Sequence, residues 1–201
     1  IAGTILAALL PAAAVSAGRT WTAEYIWDRA PASELCAYTY FRKEITLLGP
    51  APSPAAHITA DSAYQLFVNG VFVGRGPVRS DLSVQFYDTY DLRPFLRPGE
   101  NVIAVAVHFF GVGNERYLLG RGALLFESEI SAEGTAPLLV KSDASWKTLR
   151  STAWAASSPR ENDSNGWLEI FDGRKEPVNW MLAGFNASSW GVPFIIGVPP
   201  Q

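Results

Sequence analysis

A run of alternating residues that ends in Asn69-Gly70 constrains the fold of this chain more than any other feature. Residues 64–68 alternate with a period of two, which places Leu66 and Val68 on one face of a β-strand. The dipeptide Asn69-Gly70 tolerates the positive φ angles of a type I′ turn, and the apolar residues 71–73 follow it. The segment therefore predicts a β-hairpin with Leu66 and Val68 directed into a core.

Similar short segments recur along the chain, separated by proline and glycine. No stretch keeps an apolar period of 3.6 residues over three turns, and the 14 prolines and 17 glycines would interrupt one. This pattern favours an all-β, two-sheet antiparallel sandwich over a helical bundle or a βαβ layout, with helices as minor elements. The predicted strands are 38–47, 55–60, 64–68, 71–73, 101–109, 123–130, 138–140 and 146–149.

Two of these strands differ in their pattern. Residues 101–107 are almost continuously apolar, which predicts a central strand that is covered on both faces. In residues 123–130 apolar positions alternate with Glu127 and Glu129, which predicts a half-exposed strand with both carboxylates on its solvent face.

The first 17 residues are apolar and alanine-rich and end in Val15-Ser16-Ala17, a small-residue pattern typical of signal-peptide cleavage. The alternative is a membrane anchor, but the run is shorter than the roughly 20 residues that span a hydrocarbon core, and Pro11 interrupts it. We therefore expect a signal peptide at 1–17 and a secreted or periplasmic protein. The signal peptide is expected to be partial, because an initiating methionine and a basic region are missing.

Composition narrows the classes of partner. The chain is 48% hydrophobic and 12% aromatic, which supplies a proper core. Its formal net charge is -3, with acidic and basic residues scattered without runs, so neither nucleic acid nor an anionic membrane is expected as a partner. A single cysteine, Cys36, cannot form an internal disulfide and is expected to be a buried thiol.

Two further segments end in a Ser-Trp pair preceded by an amide or acid, 143–146 and 186–190. Such a turn caps itself on the Asp or Asn side chain and buries the indole. Together with the hairpin, Phe41-Arg42-Lys43, 87–91 and 99–105, these motifs resemble the N-terminal β-sandwich of bacterial α-L-rhamnosidases from about residue 25 to residue 190. The chain departs from the family at Asn186, where the family often has Asp; the turn is kept and a carboxylate is lost.

The resemblance implies a galactose-binding-like jelly roll and an accessory role. It makes 18–190 the sandwich domain and leaves 191–201 as a linker or a truncated C-terminus. The catalytic acids of the family lie in a downstream (α/α)₆ barrel, which this chain does not match, so the expected partners are that catalytic domain and a rhamnose-containing carbohydrate. The two alternatives are an independent carbohydrate-binding module and a purely structural interdomain domain.

No residue of the chain is predicted to be catalytic. A Gly-x-Ser-x-Gly nucleophile elbow is absent from the sequence. Glycosidases use two carboxylates, but Asp88 and Asp91 lie in a predicted loop, 87–92, that enters a turn before Pro94, and Glu127 and Glu129 share one predicted solvent face. Both pairs are therefore interpreted as structural.

A catalytic metal is not predicted either. The candidate zinc ligands His57, His108 and Cys36 lack the spacing of a zinc site, and each histidine lies in an apolar strand. Galactose-binding-like folds often carry a structural calcium, but no ligand loop with defined spacing is present. Oxygen ligands for calcium could come from Asp61, Asp88 or Asp91.

The loop after the hairpin contains the candidate carbohydrate-binding residues Arg75, Arg79 and Asp81. Charged groups of this kind make paired hydrogen bonds to vicinal sugar hydroxyls. Gly74 and Gly76 would let the backbone approach a ligand or form a bulge. The alternative is structural: Arg79 and Asp81 form a surface ion pair, and Arg75 docks against a neighbouring domain.

Overall fold

The computed structural model describes residues 19–29, 35–81, 84–115, 117–131, 136–156, 158–162, 164 and 166–199. The expected leader at 1–17 lies outside these residues. Within them the predicted two-sheet antiparallel sandwich is confirmed, and the only helical element is a 3-10 turn at Gly173–Lys175. None of the described helical segments is long and apolar enough to cross a membrane.

The strands of the described ranges form one six-stranded and one five-stranded sheet. The six-stranded sheet has the order β11-β1-β8-β3-β6, with β9 paired to β8, and the five-stranded sheet has the order β10-β2-β7-β4-β5. The strands are β1 Tyr25–Trp27, β2 Ala37–Leu47, β3 Ala55–Asp61, β4 Ala63–Val68, β5 Val71–Gly76, β6 Asp88–Asp91, β7 Gly99–Phe109, β8 Ala123–Ile130, β9 Leu138–Lys141, β10 Lys147–Arg150 and β11 Phe194–Gly197.

The central strand of the five-stranded sheet is β7, as its apolar run predicts. It pairs with β2 on one side and with β4 on the other. Val105 lies opposite Phe41 of β2 and Leu66 of β4, and all three side chains are fully buried in the core between the sheets. Ile58 and Phe126 meet them from the six-stranded sheet.

The outer face of the five-stranded sheet is covered as well. Tyr40 and Ala104 alternate with the core residues of β2 and β7, and they form a second buried cluster with Trp180 and Trp190. Both tryptophans come from residues 177–190, which contain no strand. This irregular segment acts as a third layer, and it explains why β7 is buried on both faces.

The hairpin turn lies where the dipeptide Asn69-Gly70 predicts it. Val68 pairs with Val71 across the turn. Asn69 and Gly70 have φ angles of 52° and 79°, both in the left-handed region that a type I′ turn requires. Leu66 and Val68 are fully buried in the core, so their predicted direction is confirmed.

Tertiary contacts hold this turn on both sides. The Asn69 side-chain amide donates to the backbone carbonyl of Phe95 and to Oδ1 of Asn101, each at 2.8 Å. A Cβ added at Gly70 would lie 2.5 Å from the Leu182 side chain of the third layer. The turn therefore needs a glycine for its backbone angle and also for the space that it leaves.

Both Ser-Trp turns form as predicted. In residues 143–146 the aspartate Oδ1 accepts a hydrogen bond from the Ser145 backbone N–H at 2.8 Å. In residues 186–190 the asparagine Oδ1 accepts from the Ser188 N–H at 3.0 Å, so Asn186 keeps the turn without a carboxylate. The indole that ends each turn is buried.

The prediction of a solvent-exposed Glu127 is wrong, because the chain ahead of β1 covers this face of β8. Glu127 is 2% exposed, and its Oε2 accepts from the backbone N–H groups of Thr22 at 2.8 Å and Ala23 at 2.9 Å. Arg19 donates to Oε1 at 2.6 Å. Burial by itself raises the pKa of Glu127, but these hydrogen bonds outweigh it and lower the pKa below its usual range. Glu129 stays exposed.

The prediction of a loop at residues 87–92 is wrong for Asp88–Asp91, which forms the edge strand β6. Its partner is β3, with Ile58 opposite Asp88. A strand of four residues without an apolar alternation takes its structure from the neighbouring strand, so the sequence carries little signal for it. Asp91 does cap a turn as predicted, since its Oδ1 accepts from the Arg93 N–H at 3.0 Å.

Besides β6, two more short strands lie outside the predicted segments. β1 pairs with β11, and β11 falls within residues 191–201, for which the sequence predicted a linker or a truncated terminus. Its partner strand comes from the opposite end of the chain, so neither strand is visible as a local pattern. The described sandwich therefore extends beyond Trp190.

Candidate functional site: two clefts beside the hairpin loop

Residues 77–81, which follow the hairpin, lie between two clefts, and the three predicted carbohydrate-binding residues are divided between them. Arg79 and Asp81 line a cleft of about 660 Å³ at the end of the sandwich, here called the end cleft. Arg75 lines a cleft of about 610 Å³ on the outer face of the five-stranded sheet, here called the face cleft. The two clefts adjoin, since both are lined by Ala63, Pro77, Val78 and Phe110. The structure thus does not bring the three residues into one site.

A partly buried carboxyl group, that of Asp61, lies in the end cleft. Asp61 ends β3, and its Oδ1 accepts a hydrogen bond from the Tyr117 hydroxyl, which in turn accepts from the Gly120 N–H at 3.0 Å. A Cβ at Gly120 would lie 1.8 Å from Oδ2 of Asp61, so this close approach requires glycine. Burial raises the pKa of Asp61 to about 6, although the hydrogen bond from Tyr117 opposes the shift.

Aromatic rings form the walls of the end cleft. Trp21 and Tyr87 meet edge to face with ring centroids 5.3 Å apart, and Phe110 and Tyr117 do so at 5.2 Å. The Arg19 guanidinium lies over the Trp21 ring at 5.4 Å. Such rings offer apolar surface to the C–H faces of a sugar, and their polar neighbours offer hydrogen bonds.

The charged groups of the end cleft are of both signs. Arg79 is exposed and donates from Nη1 to the backbone carbonyl of Glu115, which ties the loop to the segment after β7. Asp81 is exposed on the same loop, and Arg121, which the sequence analysis did not single out, is exposed beside Asp61. Cationic and anionic groups together suit the paired hydrogen bonds of a neutral polyhydroxylated ligand.

A stack of three rings lies in the face cleft. Tyr38 lies between His108, at a centroid distance of 3.9 Å and an interplanar angle of 15°, and Trp154, at 4.3 Å and 11°. Phe171 packs on Trp154 at 4.6 Å. Burial lowers the pKa of His108 to about 4, so this ring is neutral at pH 7.

A hydrogen-bonded cluster forms the floor of the face cleft. The Tyr40 hydroxyl donates to Glu176 Oε2 at 2.5 Å and accepts from the Trp154 indole N–H at 2.9 Å. The Trp180 indole N–H donates to Glu176 Oε1 at 2.9 Å. These bonds tie the third layer to the sheet and hold the Trp154 ring in place.

The remaining candidate side chains take structural positions. Cys36 is buried as predicted, with its Sγ 3.6 Å from His108 Nε2 and 3.5 Å from Ser158 Oγ, and burial raises the pKa of its thiol. His57 Nδ1 lies 3.0 Å from Thr89 Oγ1 between two neighbouring strands.

The three carboxylates considered as calcium ligands do not form one set. Asp61 is bonded by Tyr117, Asp88 by the Tyr64 hydroxyl at 2.5 Å, and Asp91 by Arg93. Among the described residues, no three His, Cys, Asp or Glu side chains are grouped so that they could hold a metal ion.

The glycines of the loop segment have a structural explanation. A Cβ at Gly74 would lie 2.4 Å from the Tyr90 ring, and one at Gly76 would lie 2.0 Å from Asp88 Oδ2. The register between β4 and β5 also shifts here, since Leu66 lies opposite Gly74 while the next residue lies opposite Phe72. Of the two predicted roles, the bulge is confirmed, and the close approach is to β6.

Residues 51–199 match the family described as Alpha-L-rhamnosidase N-terminal domain, which is more than half of the chain. The chain belongs to this family. It is 32% identical over 145 residues to an α-L-rhamnosidase of Streptomyces avermitilis, a match that covers 67% of the chain and 13% of that protein.

Solved structures agree with the family. The GH78 rhamnosidase of Bacillus sp. GL1 is 43% identical with a TM-score of 0.82, over 90% of this chain and 19% of that one. A Pleurotus ostreatus lectin in complex with GalNAc is 22% identical with a TM-score of 0.58, over 88% of this chain and 43% of the lectin, and shows the fold alone. The predicted galactose-binding-like sandwich is confirmed, and the domain spans less than a quarter of either rhamnosidase that it matches.

Parts of both clefts lie outside the matched range of the rhamnosidase N-terminal domain. Arg19 and Trp21 in the end cleft and Tyr38 in the face cleft all precede residue 51. Sequence reasoning missed Tyr38 and Glu169 as cleft residues, because strands and loops far apart in the chain bring them together. For Asp61 the sequence does carry a signal, since this carboxyl directly follows the predicted strand 55–60, but the sequence analysis considers it only as a calcium ligand.

Proposed function

We propose that this domain is a non-catalytic module of an exported α-L-rhamnosidase and that it engages a neutral, rhamnose-containing carbohydrate through the end cleft. Export would place the parent protein outside the cell or in the periplasm. The acid and base of the reaction would come from a separate catalytic domain of the parent chain, which this domain would support.

The observation that carries the proposal is the composition of the end cleft. Arg79, Arg121 and Asp81 are exposed at its rim, and the aromatic rings of Trp21 and Tyr87 form a wall. A sugar presents an apolar face to such rings and vicinal hydroxyls to such charged groups. A cleft of about 660 Å³ lies within the range typical of small-molecule sites.

The choice of sugar rests on the relatives. Both the Streptomyces avermitilis and the Bacillus sp. GL1 proteins are named as rhamnosidases, so L-rhamnose is the first ligand to test. Because the domain covers 13% of one and 19% of the other, most of each parent lies outside the matched part. A catalytic partner in the same chain is therefore part of the proposal.

Calorimetric titration of the 201-residue chain with L-rhamnose tests the end cleft. We expect saturable binding that Arg79→Ala weakens by about 1.5 to 3 kcal/mol, the value of a charge-assisted hydrogen bond. Because Arg79 also holds the loop through Glu115, Arg121→Ala provides a second variant whose side chain lies at the surface. Arg93→Ala is the control, since Arg93 pairs with Asp91 and lines neither cleft.

Each alternative predicts a different result. The absence of binding heat at millimolar L-rhamnose would favour a purely structural domain. In that case Arg79→Ala should lower the stability of the parent protein. Binding that all three variants leave unchanged would place the sugar outside the end cleft. Sequencing the gene beyond Gln201 tests the other alternative: an early stop favours an independent carbohydrate-binding module over part of an enzyme.

A further inference from the structure

The face cleft contains a buried polar atom that its own surroundings leave unpaired. Tyr38 is 8% exposed, and its hydroxyl has no hydrogen-bond partner among the described residues. The His108 and Trp154 rings stack on the two faces of the Tyr38 ring, so neither ring is placed to bond the Tyr38 hydroxyl. A buried hydroxyl without a partner costs free energy unless something else supplies the hydrogen bond.

The face cleft also presents exposed polar groups, one of which, Glu169, acts electrostatically on Tyr38. Burial and then the charge of Glu169 raise the pKa of Tyr38, so its phenol is a neutral donor at physiological pH. Glu169 is exposed at the rim of the cleft, and Gln65 and Arg75 of the hairpin are exposed at the same cleft. A cation, a carboxylate and an amide together match a ligand that carries several hydroxyls and no net charge.

Exposed aromatic surface accompanies these polar groups. Phe171 is 48% exposed, and the Trp154 ring beside it is only partly buried. The Trp154 ring is oriented by its hydrogen bond to Tyr40 and by the stack on Tyr38, so its position is established before any ligand arrives. A rigid aromatic platform is the usual partner of the C–H face of a pyranose ring.

We infer that the face cleft is a second carbohydrate-binding site, which takes a pyranose ring of a neutral glycan against Trp154 and Phe171 and bonds one of its hydroxyls to Tyr38. This goes beyond the proposed function, because Tyr38, Trp154 and Phe171 line only the face cleft, although the two clefts adjoin. Arg75, predicted as a sugar ligand together with Arg79, then belongs to this second site.

Titration of the 201-residue chain with L-rhamnose, D-galactose and D-glucose, followed by amide and indole N–H signals in NMR, tests the inference. At least one sugar should shift the Trp154 indole signal and the amides of Gln65 and Phe171 in a saturable way. If none of the three sugars moves these signals at millimolar concentration, the inference is overturned.

Two variants locate the contact. Phe171→Ala should weaken the binding seen at these signals about three- to tenfold, as expected for the loss of one aromatic contact. The matched control is Phe72→Ala, since Phe72 is 51% exposed and does not line the face cleft, and its loss should leave binding unchanged. Equal effects of both substitutions would contradict the assignment.

Tyr38→Phe distinguishes a ligand contact from a structural one. It should weaken binding about three- to tenfold, the value of one hydrogen bond, while the melting temperature stays the same or rises, because no internal partner is lost. A fall in melting temperature without a change in affinity would show that the hydroxyl serves the fold and would overturn the inference. Arg121→Ala should leave the face-cleft signals unaffected, so failure of either site is seen separately.

Discussion

The end cleft and the face cleft adjoin at the loop that follows the hairpin, and each contains a partly buried titratable group. In the end cleft burial raises the pKa of Asp61 to about 6, and in the face cleft burial lowers the pKa of His108 to about 4. Burial favours the neutral form in both, which for an acid is the protonated form and for a base the deprotonated form. Asp61 is therefore uncharged below a pH of about 6, whereas His108 is uncharged above a pH of about 4.

The difference shows how one fold supplies two kinds of surface. The end cleft is built from loops and strand ends, with charged side chains at its rim. The face cleft is built on the strands of a sheet, where neighbouring positions such as Tyr38 and His108 are paired by the register and stack as rings.

The largest effect is expected at the wall of the end cleft. Glu127→Ala removes the acceptor that holds Arg19 and the Thr22 and Ala23 backbone, and should lower the free energy of unfolding by about 3 to 5 kcal/mol. Urea denaturation measures this, and Glu129→Ala on the exposed side of the same strand is the control. A loss as small as that of Glu129→Ala would show that the N-terminal segment does not depend on this carboxylate.

The pH dependence of stability should separate the clefts. The Asp61 pKa rises from 3.8 to about 6 on folding, so the folded state binds more protons and stability falls as pH rises through this window, by up to about 3 kcal/mol. The His108 pKa falls from 6.5 to about 4, so stability rises with pH through nearly the same window. In the unmodified protein the two contributions oppose each other.

Single variants should reveal how each residue, Asp61 or His108, changes stability with pH. Asp61→Asn should leave stability rising with pH between about 4 and 6.5, and His108→Phe, which keeps a ring in the stack, should leave it falling relative to the unmodified protein. Thermal denaturation at several pH values provides the measurement. Identical pH profiles for all three proteins would contradict the burial of these groups.

A substitution in the hairpin turn tests the contact between this turn and Leu182 of the third layer beside the face cleft. Gly70→Val places a β-branched residue at a φ of 79° and a Cβ 2.5 Å from Leu182, and should cost about 1 to 3 kcal/mol. Gly99→Val is the control, because Gly99 also has a positive φ of 89° but open space around it. The difference between their melting temperatures reports the contact with Leu182, and no change for Gly70→Val would mean that the turn is misplaced.

The smallest effect expected is an absence of catalysis. Asp61 is the carboxyl in the end cleft with a raised pKa, but its Oδ1 is bound by Tyr117, and no carboxylate pair of the sequence has a better interpretation than a structural one. Incubation of the chain with an aryl α-L-rhamnoside should release no product above a blank. Turnover that disappears in Asp61→Asn would overturn this and make the end cleft an active site.

Local patterns predicted those parts of the fold that are decided within a few residues. Asn69-Gly70 has the positive φ angles of the predicted turn, the apolar run in β7 lies at the centre of its sheet, and both Ser-Trp turns close on an Asp or Asn side chain. Each depends on backbone preference, on side-chain period, or on a hydrogen bond between near neighbours. These are properties that a sequence carries directly.

The clefts were predicted only in part. Arg79 and Asp81 do share a cleft, but Arg75 lies in another, because Arg75 belongs to β5 of the five-stranded sheet, whereas Arg79 and Asp81 lie in the irregular segment after it. Glu127 is buried by residues 19–23, which are about a hundred positions away along the chain. Alternation indicates which side of a strand a residue occupies, and it does not reveal what covers that side.

The sequence by itself thus determined the class of fold, the hairpin, the central strand and the family, since all four depend on local period, turn chemistry and ordered motifs. Tertiary structure alone decided that β1 pairs with β11, that the third layer covers Tyr40, and that the Tyr38 hydroxyl is left unpaired beside Trp154. The physical reason is that burial and hydrogen-bond partners are set by segments distant in the chain, so they exist only once both sheets and their cover have assembled.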